Sequence, residues 1–101
     1  MYMKETSTLF RLLGDEARLR LLRLLAKERL NVSELTAVLG IAQSGVSRHL
    51  GLLRDAGLVT EEREGGFTFF RVTQDEKDRR LAPVWTLLRT RFRGASRDPL
   101  V

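Results

Sequence analysis

With 101 residues the chain has room for one domain and one core, and it is small enough that pairing with a second copy would add useful burial. Eighteen Lys and Arg against 13 Asp and Glu leave a net charge of +5, which favours a polyanionic partner. No Cys and a single His exclude a disulfide framework or a thiolate centre, and no apolar run approaches a membrane span or a secretory core, so a cytoplasmic protein with no membrane partner is expected.

A first helix is predicted from about Lys4 to Leu13, with Leu9, Leu12 and Leu13 apolar. Asp15 is placed to cap a second helix that runs through Lys27. Its Leu21, Leu22, Leu24 and Leu25 read as core, and Arg18, Arg20 and Arg23 as solvated surface. Asn31 followed by Glu34 has the spacing of a capping box for a third helix, striped by Leu35, Val38 and Leu39 and stopped by Gly40. After the short connection Ile41-Ala42, Val46, Leu50 and Leu53 recur at helical spacing. Gln43, Ser44, Ser47 and Arg48 fall on the other side, near the helix N-terminus. Arg forks onto guanine, Gln pairs with adenine and Ser bonds to either, so this face suits a DNA major groove. The pair of helices therefore reads as a helix-turn-helix.

Gly57 marks the end of that helix, and two strands follow around Gly65-Gly66. A two-residue loop there sets Glu64 opposite Phe67, Arg63 opposite Thr68 and Val59 opposite Val72, which gathers Val59, Phe70 and Val72 on one face. Arg63 then stands at the exposed tip, able to reach a phosphate or a minor groove. Glu61, Glu62 and Glu64 oppose such binding, so Arg63 is the expected wing contact, with Arg71 either beside it or paired to glutamates. A last helix is expected from Gln74 or Asp75 to Phe92, carrying Leu81, Val84, Trp85, Leu88 and Phe92 on one stripe; Pro83 either sits in its first turns or splits off a short initial turn. The fold class is thus mainly α with a small antiparallel hairpin, in the order α-α-α-α-β-β-α. A DNA-binding and dimerisation domain over 1–93 is expected to precede a flexible tail over 94–101.

The segments LGDEARLRLLRLL, NVSELTAVLG, QSGVSRHLGLLRDAGLV and REGGFTFFRV together resemble the ArsR/SmtB family of winged-helix repressors. The resemblance covers most of the chain, and SRHL through AGLV is its most specific part. It implies a homodimeric repressor that binds double-stranded DNA at an operator, with residues 43 to 56 as the recognition helix. By position, Gln43, Ser44, Ser47 and Arg48 match the family's DNA-facing residues, and His49 and Arg63 join the DNA-binding set. The first and last helices make the family's dimer interface, which implies roles for Leu9, Leu12, Leu13, Trp85, Leu88 and Phe92. The competing reading makes all six the core of a single chain.

Departures from the family narrow the function. Many members sense thiophilic metals through a CVCDL-like motif, and the aligned residues here are Asn31-Val32-Ser33-Glu34-Leu35. Neither cysteine position holds a ligand, and the only histidine lies in the recognition helix, so no metal site and no cofactor are expected and the inducing signal is unknown. No Ser, Cys or Asp constellation surrounds His49, so it reads as a helix-packing or phosphate-neighbouring residue rather than a catalyst. The stretch LNVSEL through FFRV also resembles family members with a methyltransferase domain downstream. The alternative function is therefore a regulatory or docking head for a longer or partner methyltransferase. No strand leads into a glycine-rich loop and an acidic residue, so this polypeptide itself is expected not to be an enzyme.

Overall fold

The computed structural model describes residues 3–73 and Thr86. Helix α1 (Met3–Leu13) leads through Gly14 and Asp15 into α2 (Glu16–Lys27). Asp15 holds extended backbone angles and its carboxylate accepts the Arg18 backbone N–H at 3.2 Å, satisfying one of the donors that a helix start leaves bare. Next come the two-residue strand β1 (Leu30–Asn31), α3 (Val32–Leu39) and α4 (Gln43–Asp55), and the hairpin of β2 (Val59–Glu64) and β3 (Phe67–Val72) closes the described part.

Asn31 does two jobs with one backbone geometry. Its extended φ and ψ suit both a strand and a helix N-cap, so it pairs with Phe69 of β3 and also starts α3. The predicted capping box is complete: Asn31 Oδ1 accepts the Glu34 N–H at 2.8 Å, and Glu34 Oε1 accepts the Asn31 N–H at 3.0 Å. Strand β1 is an addition to the expected order, and it makes the hairpin a three-stranded antiparallel sheet ordered β1-β3-β2. Two residues carry no periodicity, so nothing in the sequence announced this strand. The last helix expected from 74 or 75 to 92 and the tail fall outside the described residues, Thr86 excepted.

The hairpin has the predicted register, from Val59↔Val72 to Glu64↔Phe67. Gly65 and Gly66 both have positive φ, 58° and 81°, the combination that a two-residue turn matched to the strand twist requires. Alternation then turns Val59, Phe70 and Val72 inward, where all three are buried. They join Leu21, Leu22, Leu24 and Leu25 of α2, Leu35 of α3, Val46, Leu50 and Leu53 of α4, and Leu58 in one cluster. Each fully buried leucine there contributes roughly 1.5–3 kcal/mol relative to exposure, enough to fix α4 by its inner face. Helix α4 ends in a Schellman arrangement. The Gly57 N–H bonds to the Arg54 carbonyl and the Leu58 N–H to the Leu53 carbonyl, both at 2.9 Å, and the Leu58 side chain is buried.

Candidate nucleic-acid interface

The inner face of α4 is committed to the core, which decides what its outer face can do. Val46, His49, Leu50 and Leu53 are buried, whereas Gln43, Ser44, Ser47 and Arg48 are all exposed. These four sit in the first two turns, with no carboxylate in the first turn. Ala42 at the N-cap offers no side-chain acceptor, so the leading backbone N–H groups of α4 keep their capacity to bond an external anion. Arg48 makes no hydrogen bond or ion pair among the described residues. The result is one neutral-to-cationic face carrying donors and acceptors of the kinds that read base edges.

His49 belongs to the opposite side of the helix. It is 8% exposed, and its Nδ1 accepts a hydrogen bond from Arg18 Nε at 3.1 Å. This corrects its assignment to the DNA-facing set: three residues after Val46 and four before Leu53, it lies on the packed face. Burial pushes the imidazole below its ordinary proton affinity; the Asp15 carboxylate opposes that, and the cations of Arg18 and Arg48 reinforce it. A neutral ring with Nδ1 as acceptor follows from the same geometry. Arg18 is likewise not the solvated residue expected. Its guanidinium also donates to the carbonyls of Leu12 at 3.4 Å and Arg11 at 3.5 Å, so one side chain ties the end of α1 to α4. Asp15 completes the group. Burial opposes its ionisation, but the Arg18 backbone N–H and the nearby His49 and Arg18 hold its carboxyl below the usual range.

The wing sorts its charges. Thr60, Glu62 and Glu64 share the outer face of the sheet with Phe67, Phe69 and Arg71, while Glu61 and Arg63 share the inner face with Phe70 and Thr68. Every wing carboxylate has a partner: Glu61 pairs with Arg54 of α4, Glu62 with Arg71 at 3.1 Å and Arg29 at 3.4 Å, and Glu64 with Arg29. Of the two placements open for Arg71, the structure has the glutamate pair. Arg63 is exposed on a different element from the α4 quartet and has no ion pair among the described residues.

A family profile described as bacterial regulatory protein, arsR family, matches residues 15–61, which run from the α2 cap into β2. The biofilm growth-associated repressor of Agrobacterium fabrum is 36% identical over 83 residues, covering 82% of this chain and 71% of the repressor. This chain belongs to the arsR family. Another arsR-type relative, the arsenic resistance transcriptional regulator of Pseudomonas putida, is 39% identical over 75 residues and 70% of this chain, which spans 59% of that regulator's length. A possible ArsR-family transcriptional regulator from Mycobacterium bovis has a solved homodimeric winged helix-turn-helix DNA-binding domain. It superposes with a TM-score of 0.69 at 26% identity, over 84% of this chain and 79% of that fragment. The arsR-family chain is thus a winged helix-turn-helix transcriptional regulator by sequence and by fold.

The residues expected at the dimer interface of this arsR-family protein divide in three ways. Leu9 and Leu12 are already buried by their own chain, Leu13 is half-buried against the core, and Trp85, Leu88 and Phe92 lie outside the described residues. For Leu9 and Leu12 the single-chain reading is therefore the better description. The apolar side chains that α1 leaves uncovered are Phe10, 66% exposed, and Met3, 86% exposed. Sequence reasoning passed over Phe10, although it stands beside the apolar stripe it was measured against. Among the described residues no cluster of three or more His, Cys, Asp or Glu is arranged to hold a metal ion, and no helix is long and apolar enough to cross a membrane.

Proposed function

We propose that this protein is a dimeric repressor that occupies an inverted-repeat operator, with Gln43, Ser44, Ser47 and Arg48 of each copy entering a major groove and Arg63 reaching the flanking backbone or minor groove. One observation carries the reading: Gln43, Ser44, Ser47 and Arg48 are exposed together on a helix whose other face is locked into the core. Support for repression comes from the Agrobacterium relative, named as a repressor, and support for pairing from the homodimeric Mycobacterium domain and from exposed Phe10 and Met3 on α1. A two-fold dimer sets its two reading helices about 34–36 Å apart, so half-sites one helical turn apart are expected. Occupancy of such a site blocks initiation of transcription.

Release is not thiolate chemistry. Trivalent arsenic demands thiolates, and this chain has none; Asn31 and Ser33 stand where the arsenic-sensing motif places its cysteines. Any release signal would act by favouring a dimer geometry whose heads no longer match the half-site spacing. Selecting bound fragments from the source genome, followed by footprinting, tests the whole reading. A protected inverted repeat is expected, and retention of no sequence above background would refute it.

A further inference from the structure

The wing is acidic by sequence and yet extends from a domain proposed to bind DNA. Its strands hold three carboxylates against two guanidiniums, and the balance becomes a surplus of one cation only when Arg29 and Arg54 are counted with them. Arg29 has the larger share of this work. It precedes β1, where the register sets it opposite Arg71 on the outer face, and its guanidinium lies 4.4 Å from the centre of the Phe69 ring. From there it bonds Glu62 Oε2 at 3.4 Å and pairs with Glu64. The aromatic platform aligns a planar cation between two carboxylates two residues apart on one strand face. Among the described residues nothing comparable holds Arg63, which lies between those two carboxylates in sequence.

We infer that Arg29 is a positioning residue for nucleic-acid binding: clamped over Phe69, it offsets Glu62 and Glu64 on the outer face, as Arg54 offsets Glu61 on the face that Arg63 shares, so that Arg63 meets the phosphate backbone with every wing carboxylate paired. This rests on the DNA-binding reading above, with duplex DNA as the ligand. The effect is electrostatic and sequence-independent, so it is greatest at low salt and fades as the Debye length contracts.

The test uses the full chain and a fluorescent 30-base-pair duplex of mixed sequence, followed by anisotropy from low to moderate salt, with circular dichroism to verify folding. Arg29→Gln is expected to weaken binding roughly three- to ten-fold at low salt, and Arg29→Lys, which keeps the charge, by less. The triple variant Arg29→Gln/Glu62→Gln/Glu64→Gln is expected to regain at least native affinity, because neither carboxylate that Arg29 offsets remains and Glu61 keeps Arg54. A merely structural role for Arg29 would leave the triple variant as weak as the single one, and that result would overturn the inference. Glu62→Gln/Glu64→Gln alone retains Arg29 and answers the question even if Arg29→Gln fails to fold. It is expected to bind more tightly than the native chain, and unchanged or weaker binding would overturn the inference. A native chain that binds no duplex at any salt would remove the DNA-binding reading itself, whereas native binding with an indifferent Arg29→Gln removes only the role given to Arg29.

Discussion

Arg48 and Arg63 are both exposed cations, yet they are predicted to fail differently. If Arg48 forks onto a base, Arg48→Ala costs on the order of 1–3 kcal/mol on the selected operator and relaxes selectivity at one position. Arg63→Ala should weaken all sequences alike and lower the salt slope by about 1, because a phosphate contact carries no base information. Binding isotherms on the operator and on a scrambled duplex separate the two. A sequence-selective loss in Arg63→Ala would move the wing tip onto bases. His49 gives a pH prediction. The folded chain binds this proton less readily than the unfolded chain, so stability is complete above about pH 6.5 and is lost as pH falls below it. Melting temperature should drop between pH 7.5 and 5.5, and by less in His49→Gln, whose amide oxygen can still accept from Arg18. An equal drop in both would place the titration elsewhere. The polar quartet was legible because exposure follows helical spacing. His49 was legible by the same spacing, but its polarity outweighed its position. The Arg18 tether was not legible, since its partner lies 31 residues away and no local pattern joins them.

At the scale of elements, single residues set boundaries more than they set stability. Asn31→Ala removes an acceptor from the first turn of α3 and should cost about 1 kcal/mol in denaturant unfolding. Gly51 points the other way. It lies inside α4, and a methyl group there would meet nothing nearer than the end of the Arg54 side chain at 3.9 Å. Gly51→Ala should therefore stabilise the fold by roughly 0.5–1 kcal/mol, and a destabilised variant would show that the helix needs the glycine for a reason intrinsic to the chain. Caps and hairpin register were readable because each is specified within a few residues: Asn31 with Glu34, and Gly65 with Gly66. Strand β1 was not, because its existence depends on β3, about 40 residues later, arriving beside it.

For the whole molecule, the interface prediction shifts from the leucines of α1 to its exposed aromatic. Phe10→Glu should leave the monomer folded, since the side chain is largely in solvent there, while burying an unpaired charge in a dimer. Sedimentation at micromolar concentration is expected to show a dimer for the native chain and a monomer for the variant, with operator binding much reduced. A native monomer that still binds its full palindrome tightly would defeat this. Zinc, cadmium, arsenite and antimonite are each expected to leave the protein–operator complex intact under chelator-controlled titration, because the chain has no thiolate and only one imidazole to offer. Stoichiometric release of DNA by any of them would reveal a site.

The junction between α4 and the wing has a mechanical consequence. Leu58 is joined backward to Leu53 through its N–H and forward to Thr73 through its carbonyl, with its side chain sealed in the core, so the junction between α4 and the sheet is braced on both sides. Helix and wing are therefore expected to move as one lever. In the proposed dimer, the separation of two such levers is then the coordinate open to any release signal. The amides of Leu58 and Thr73 should accordingly exchange with solvent in step with those of the α4 core, whether or not DNA is present.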